Sequence, residues 1–325
     1  MISIRTDLAL EARELYKQRQ KREVPGVKVD VIDKGEVKVT KVSITSQEGA
    51  KNMGKPVGNY ITIEAPGLRE RDRATEDTAS HALKEQLREL INLDNQTKIL
   101  VIGMGNWNVT PDALGPRVTS KLMVTRHLMK IMPDKVERGL RSVSALAPGV
   151  LGITGMETSE IVQGTVEKTR PDVIIAIDAL ASRNMDRIST TIQLADTGIS
   201  PGSGVGNKRL ALNKEILGVP VIAIGVPTVI DAATLASDTL DHLLSAMAKQ
   251  AKEGSAIYNI LSDMDKGEKV RLINEVASPY IKHLMVTPKE IDTIIDDVAK
   301  VISRGINMAL HDNVNDTGDI QYFMH

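Results

Sequence analysis

The sequence predicts a three-layer α/β protein, with helices on both faces of a mostly parallel central sheet and a smaller α+β section in front of it. Three short apolar runs, rich in β-branched residues, predict the buried strands of that sheet, at 98–102, 172–177 and 219–225. Helical patterns lie between these runs. Such an alternation of strand and helix is typical of parallel sheets.

Composition narrows the class of protein before any motif is considered. The chain has 325 residues, 42% of them apolar, which is ample for a core and suggests about two domains, or one large domain with additions. One Trp, one Phe and a net charge of −1 argue against direct nucleic-acid binding. The chain has no cysteine, which excludes disulfides and thiolate catalysis and fits a reducing cytosol. We find no apolar run of membrane-spanning length and no hydrophobic signal core, so we expect a soluble, intracellular protein without a membrane partner.

The first section reads as a helix, three strands and a second helix. The strands alternate apolar and polar residues, as half-buried strands do, and Lys34-Gly35 predicts a hairpin turn between the first two. The second helix carries one apolar face. In chain order we place these elements at 8–23, 27–32, 37–44, 60–64 and 70–92.

From residue 97 the pattern becomes strand followed by helix. After the strand at 98–102 we expect one helix, stopped near Pro133, and then strands and helices at 142–147, 157–168, 172–177, 190–194, 219–225 and from 231. The run at 190–194 suits an edge or antiparallel strand. The last helix has the clearest start, with Thr287 as N-cap and Pro288 in its first position, and an apolar stripe follows from Ile291 to Ile306.

Two acids follow two of the apolar runs. Asp112 comes after the loop that leaves the strand at 98–102, and Asp178 comes directly after 172–177. Sites of open α/β sheets lie at the carboxyl ends of strands, so neighbouring strands would bring the two carboxylates together as a general acid and a general base. The alternatives are a helix N-terminal acid for Asp112, and a helix cap or an ion pair with Arg183 for Asp178.

Other familiar motifs are weak or missing. The glycines at 103–108 do not open a helix as a dinucleotide fingerprint does, and the glycine-rich loop at 202–206 lacks the ending of a P-loop. That loop reads as flexible, although Lys208 and Arg209 after it could face acidic ligands. The histidines have no metal-site spacing, and no nucleophile elbow is present.

Several longer motifs resemble the germination protease family of spore-forming bacteria. The resemblance runs from about residue 4 to residue 311 and rests on GNWNVTPDALGP at 105–116, APGV with GITG at 147–155, AIDAL at 176–180, PGSGVGNK at 201–208, GVPTVID at 225–231 and LMVTPKE at 284–290.

The resemblance implies an endopeptidase that cuts small acid-soluble spore proteins in the cytoplasm of the forespore or spore core. It implies a homotetramer, a core similar to the hydrogenase maturation endopeptidases, no cofactor, and catalytic aspartates at Asp112 and Asp178. It also implies a zymogen that cuts itself in a Thr-Glu/Asp-apolar-Ala-x-Glu context. Thr6–Glu11 has that form, so we predict autoprocessing between Asp7 and Leu8; the alternative is a helix start capped by Thr6 or Asp7.

These expectations divide the chain into a propeptide, an N-terminal α+β section, a catalytic core and a C-terminal helical section, at 1–7, 8–96, 97–252 and 253–325. Arg183, Lys208 and Arg209 would select acidic residues of the substrate, and backbone N–H groups of the 149–155 or 202–206 loops would stabilise the oxyanion. Two other functions stay open: a metal-dependent peptidase at the same acids, and a binder of spore proteins that cuts nothing.

Overall fold

A computed structural model describes residues 6–136, 139–199, 210–236 and 284–312, together with single positions 239, 243, 246, 247 and 314. Lys208 and Arg209, the 202–206 loop and the stretch 253–283 lie outside the described residues. No helix within the described ranges is long and apolar enough to cross a bilayer.

The centre of the fold is a nine-stranded sheet in the order β1-β2-β3-β7-β8-β6-β4-β5, with β9 paired to the end of β8. The pairs β4–β5, β4–β6 and β6–β8 are parallel, which confirms the predicted parallel core, and the other pairs are antiparallel. The strands are β1 Val27–Asp33, β2 Lys38–Ile44, β3 Gly58–Glu64, β4 Lys98–Gly103, β5 Ser142–Leu146, β6 Val173–Ser182, β7 Thr191–Ala195, β8 Val221–Asp231 and β9 Met285–Val286.

Helices cover both faces of this sheet, as predicted. Side chains of successive strand residues point to opposite faces, so Ile99 and Val101 pack with α3, α4 and α9, whereas Leu100 and Ile102 pack with α7 and α8. Helices α1 and α2 cover the antiparallel part of the second face. The helices are α1 Ala9–Gln20, α2 Gln47–Met53, α3 Arg73–Leu90, α4 Leu114–Thr119, α5 Arg126–Ile131, α6 Leu151–Thr154, α7 Thr158–Thr169, α8 Lys214–Leu217 and α9 Ile291–Leu310.

The N-terminal strands extend the central sheet. The hairpin predicted at Lys34-Gly35 joins β1 to β2, and β3 pairs antiparallel with β7, which pairs in turn with β8. The smaller α+β section therefore shares one continuous sheet with the parallel core. The boundaries proposed for the sections stay a prediction.

The single helix expected after β4 is wrong, because the chain breaks it into α4 and α5. The backbone N–H of Met123 donates to Asn307 Oδ1 at 3.0 Å, and that of Thr125 donates to Val143 O at 3.0 Å. The hydroxyl of Thr125 accepts the N–H of Val143 at 2.9 Å. The backbone N–H groups of Met123 and Thr125 thus donate to α9 and β5 and not to carbonyls one helical turn earlier. The helix cannot continue through these two residues.

Two other boundaries also differ from expectation. Strands β6 and β8 pair with each other beyond the predicted ends, from Asp178 opposite Gly225 to Ser182 opposite Ile230. The predicted N-cap at Thr287 is wrong, since α9 begins at Ile291 and the Thr287 hydroxyl donates to Thr228 O at 2.9 Å. That hydroxyl therefore ties the chain before α9 to the end of β8.

Candidate active site

Asp178 lies inside β6, near the carboxyl end of the parallel core. The strand continues four residues past it to Ser182, so its predicted position just after a strand end is wrong, and it caps no helix. Its side chain is 8% exposed, and Oδ1 accepts the N–H of Ala179 at 2.9 Å. Burial in an otherwise apolar strand has to be compensated, which makes this carboxylate a candidate for chemistry.

Asp112 is held by the loop that follows β4. It ends a 3₁₀ turn, Thr110–Asp112, two residues before α4, and its Oδ2 accepts the N–H of Asn106 at 2.9 Å. The loop needs a glycine at 105, because φ there is +114° and a Cβ atom would stand 1.9 Å from Asp112 O. Glycine therefore allows the backbone at residue 105 to approach the carbonyl oxygen of Asp112 closely.

The two acids line one cavity of about 740 Å³. Strands β4 and β6 are parallel neighbours, with Gly103 opposite Ile177, as the acid-pair hypothesis requires. The cavity opens at the carboxyl edge of these strands, where α/β proteins place their sites. Two carboxylates that share a cavity can act as proton donor and proton acceptor.

The N-terminal segment enters the same cavity, which is also lined by Asp7. The N–H of Asp7 donates to Ala181 O at 3.3 Å, and the N–H of Ala181 donates to Asp7 Oδ2 at 3.0 Å. The carbonyl oxygen of Asp7 accepts from Lys55 Nζ at 2.8 Å and from Gln193 Nε2 at 3.1 Å. The next side chain, Leu8, is fully buried. Asp7 thus lies along β6 with its backbone and its carboxylate both bound.

The residues after Leu8 are bound as closely. The N–H of Ala9 donates to Gln193 Oε1 at 2.6 Å. The buried carboxylate of Glu11 accepts hydrogen bonds from the last residue of β6 and from the turn after it, namely from Ser182 Oγ at 2.9 Å, Arg183 N at 2.9 Å and Asn184 N at 3.1 Å. The guanidinium of Arg187 lies 3.4 Å from Glu11. Glu11 is therefore a fixed anchor for the start of α1.

The start of α1 is not the one expected for an ordinary capped helix. The N-cap residue is Leu8, which has no side-chain cap, so neither Thr6 nor Asp7 is the N-cap. Thr6 Oγ1 accepts the N–H of Leu8 at 3.0 Å, and the same hydroxyl donates to Glu11. The side chains of this segment are thus engaged with each other and with β6 and β7.

Burial shapes the electrostatics of this cavity. The Lys55 ammonium is withdrawn from water, and this desolvation lowers the pKa of Lys55, while the charges of Asp7 and Glu11 oppose the shift. Its Nζ lies 6.0 Å from the ring centre of Tyr60. Desolvation raises the pKa of the Tyr60 hydroxyl to about 12, so that group stays protonated at neutral pH.

The other predicted site residues fall in different places. Arg183 lies beside the Glu11 carboxylate, through its backbone N–H, and is not among the cavity-lining residues of the described chain. Its role in substrate selection stays a prediction. Sequence analysis missed Lys55 and Gln193, because no motif marks them and only the approach of the N-terminal segment gives them a role. Among the described residues no group of three or more His, Cys, Asp or Glu side chains has the arrangement of a metal site.

Comparison with known proteins agrees with these motifs. The sequence model of the family described as germination protease matches residues 6–264 and 255–323. A germination protease of Caldanaerobacter subterraneus is 56% identical, over 95% of this chain and 95% of that protein. Germination proteases of Clostridium perfringens and Bacillus velezensis are 54% and 47% identical, over 97% and 96% of this chain and 97% and 94% of those proteins.

A solved structure, the NiFe hydrogenase maturation protease HycI of Thermococcus kodakarensis, aligns with a TM-score of 0.34 and 18% identity, over 68% of this chain and 98% of that one. A TM-score this low does not establish the fold, which is established by the strand pairing described above. The matches along nearly the whole chain do define its family. The chain belongs to the germination protease family, and it is an endopeptidase of spore germination.

Proposed function

We propose that this endopeptidase removes its own N-terminal segment by cutting between Asp7 and Leu8, and that it degrades small acid-soluble spore proteins during germination. Asp112 and Asp178 are the catalytic pair. The observation that carries the proposal is that Asp7 lines the same cavity as both acids.

The contacts of Thr6–Glu11 support a Thr-Glu/Asp-apolar-Ala-x-Glu cleavage context. The Asp7 carboxylate accepts a backbone N–H, and the Glu11 carboxylate accepts four hydrogen bonds, one of them from Thr6 within the segment. Ala9 is fully buried, so a larger side chain would have to displace its surroundings. A site built of donors discriminates strongly against residues that lack the matching acceptor. Acids before the cut and four residues after it are therefore the strongest requirements.

The proposed reaction is hydrolysis by one water molecule. One acid of the pair, ionised, takes a proton from water as the water oxygen attacks the carbonyl carbon of Asp7. The other acid, protonated, gives its proton to the nitrogen of Leu8 as the carbon–nitrogen bond breaks. The products are a new carboxyl group on Asp7 and a free amine on Leu8. Because close carboxylates titrate as a pair, the two roles belong to the dyad.

We further propose that the enzyme works as a homotetramer in the forespore cytoplasm or spore core. Arg183, Lys208 and Arg209 are proposed to attract the acidic residues of its substrates. Sedimentation of the processed protein at micromolar concentration tests the assembly, and a monomer under these conditions would contradict it.

The test of the function uses a synthetic peptide that carries Thr-Glu-Leu-Ala-Ser-Glu. Incubated with the processed enzyme and analysed by mass spectrometry, it should be cut after the first glutamate. A control peptide with glutamine at that position should stay intact. A binder without catalysis would leave both peptides intact, which would overturn the proposal.

The same assay distinguishes a metal-dependent peptidase at the same acids. The enzyme is first dialysed against a strong chelator and then mixed with the peptide. Full activity is the result expected for two carboxylates that need no ion. Activity lost to the chelator and restored by a divalent cation would favour the metal-dependent alternative.

A further inference from the structure

Two side-chain donors, Lys55 Nζ and Gln193 Nε2, converge on the carbonyl oxygen of Asp7. We propose that Lys55 and Gln193 bind and polarise the carbonyl of the peptide bond to be cut, and that they stabilise the negative charge that forms on its oxygen. The inference rests on the proposed function, because it takes Asp7–Leu8 as the bond that the enzyme cuts.

Lys55 is fixed where helix α2 ends. Gly54 takes the left-handed conformation at the helix end, and the N–H of Lys55 donates to Ala50 O at 3.2 Å. The side chain then runs beside Tyr60 to the Asp7 carbonyl, where the ammonium is shielded from water. A positive charge acts more strongly on a developing oxyanion when little water screens it.

Gln193 contacts both sides of the bond. Its Nε2 donates to Asp7 O at 3.1 Å, and its Oε1 accepts the N–H of Ala9 at 2.6 Å. The carboxamide therefore spans Leu8 and fixes the register of the chain on both sides of the Asp7–Leu8 bond. Reversing the amide would lose both hydrogen bonds, so its orientation is determined by the segment it binds.

Sheet register places Gln193 in the same row as Asp178. Gln193 in β7 pairs with Gly225 in β8, and Gly225 pairs with Asp178 in β6, so the three residues form one row on one face of the sheet. Two strand spacings separate the ends of that row, about 10 Å. All three residues line the cavity. The side chain of Leu180, two residues after Asp178, occupies the space over Gly225, where a Cβ atom would stand 2.4 Å from Leu180 Cδ1. The row therefore has Gln193 at one end, Leu180 over its middle and Asp178 at the other end.

The role of the two donors follows from the movement of electron pairs during the reaction. When the water oxygen bonds to the Asp7 carbonyl carbon, the π pair of the carbonyl moves onto its oxygen, which faces Lys55 and Gln193. When the carbon–nitrogen bond breaks, that pair returns and the nitrogen of Leu8 takes the proton of the protonated acid. Lys55 and Gln193 donate hydrogen bonds throughout and transfer no proton. They are catalytic residues in the sense that they touch the reacting oxygen.

The test compares the wild type with Lys55→Met and Gln193→Glu, the latter keeping an acceptor for Ala9 while removing the donor to Asp7. The control is Lys51→Met, an exposed lysine on α2. The full-length chains are incubated at mildly acidic pH, and the appearance of a chain that begins at Leu8 is followed by mass spectrometry. We expect each site variant to slow processing by about 10²-fold or more, as loss of one oxyanion donor does. Lys51→Met should process at the wild-type rate.

Thermal unfolding of the same proteins shows whether a variant has failed to fold, and Lys55→Arg, which keeps a charged donor, should process faster than Lys55→Met. Wild-type rates in folded Lys55→Met and Gln193→Glu, alongside an inactive Asp178→Asn, would overturn the inference and leave the proposed function intact. A wild-type chain that is never cut at Asp7–Leu8 would overturn both.

Discussion

Two hydrogen-bonded networks, one around buried Glu11 and one around buried Arg141, hold the two ends of the described chain, and they differ in what they bind. The first, which we call the N-terminal network, consists of Lys55, Gln193 and Arg187 with the segment Thr6–Glu11 that they contact. Lys55 and Gln193 line the cavity that Asp178 also lines, and the bonds of the network end on the backbone and the carboxylates of that segment.

The second, the C-terminal network, consists of Arg141, Asp94, Leu310, His311 and Asp312. The Arg141 guanidinium donates to Asp94 O at 2.7 Å, to Leu310 O at 2.9 Å and to the Asp312 carboxylate at 3.1 Å, while the backbone N–H of Arg141 donates to His311 Nδ1 at 3.2 Å. These bonds satisfy the carbonyl of Leu310, the last residue of α9, and join the end of the helix to the residue that precedes β5.

Each network contains a buried charged residue with several hydrogen-bond partners, Glu11 in the first and Arg141 in the second, so neither burial nor hydrogen bonding alone identifies a catalytic site. The difference is position: the N-terminal network binds Asp7, which lines the cavity of the two acids, whereas the C-terminal network joins elements of the permanent fold. Substitutions in the first should therefore change reaction rates. Substitutions in the second should change the free energy of unfolding and leave the activity of folded molecules unchanged.

The largest effect should come from the acid pair. Asp112→Asn removes an ionisable group from the cavity, and we expect peptide cleavage to fall by about 10³-fold or more. The control is Asp172→Asn at the opposite end of β6, where the carboxylate accepts the N–H of Lys98 at 2.8 Å. Cleavage by Asp172→Asn should match the wild type. Near-normal cleavage by folded Asp112→Asn would remove the acid from the mechanism.

The next largest effect should come from Arg141→Met. The substitution leaves the carbonyls of Asp94 and Leu310 and the Asp312 carboxylate without this buried partner, which should cost about 4 kcal/mol of unfolding free energy. Arg88→Met is the control, because Arg88 binds the same helix end from a half-exposed position and should cost about 1 kcal/mol or less. Urea unfolding measures both. A loss of cleavage per folded molecule in Arg141→Met would contradict the division between the networks.

His311 of the C-terminal network should make the free energy of unfolding depend on pH. Burial lowers the pKa of His311 to about 4 from its usual value near 6.5. Between pH 6.5 and pH 4, His311 is therefore protonated in the unfolded chain and neutral in the folded chain. The free energy of unfolding falls by about 3 kcal/mol in total as the pH falls from 6.5 towards 4.

Unfolding free energies of the wild type and of His311→Asn, measured across that range, check this prediction. Asparagine keeps an acceptor for the N–H of Arg141 and cannot titrate, so the difference between the two proteins isolates the histidine. Parallel curves would show that His311 does not titrate abnormally.

The smallest effect should come from Glu11→Gln in the N-terminal network. Ser182 and Asn184 bind one oxygen of the carboxylate and Arg183 binds the other, so the single oxygen of the amide keeps only part of this set. The amide also loses the charge that faces Arg187, at a total cost of about 2 kcal/mol. Because Glu11 anchors the segment, we expect processing at Asp7–Leu8 to slow by about 10-fold. Glu14→Gln, whose carboxylate binds Arg187 at 2.7 Å from a more exposed position, is the control and should process normally. Equal processing rates in the two variants would mean that Glu11 does not fix the position of the segment in the site.

The parallel core and the placement of Asp112 and Asp178 in one cavity were predictable because their signals are local. The apolar runs that became β4 and β6 are long enough to identify buried strands, and the strand-end rule pointed to Asp112 and Asp178. The family motifs then gave both acids a role. The extents of β6 and β8 were wrong, because these strands pair with each other past Asp178 and Gly225.

The features that the sequence did not predict depend on contacts between distant parts of the chain. Lys55 follows a polar stretch without periodicity, and its partner Asp7 lies 48 residues before it. The break between α4 and α5 arises because α9 and β5 take the backbone donors of Met123 and Thr125. No local pattern reports such competition, since the competing acceptors are far away in sequence.

The central claim is that Asp112 and Asp178 cut the chain's own Asp7–Leu8 bond. N-terminal sequencing of the full-length protein after incubation at mildly acidic pH tests it most directly, with the wild type and Asp178→Asn side by side. The account predicts a new terminus at Leu8 in the wild type and an unchanged terminus at Met1 in Asp178→Asn. A terminus at Leu8 in both proteins, or at another position in the wild type, would contradict it.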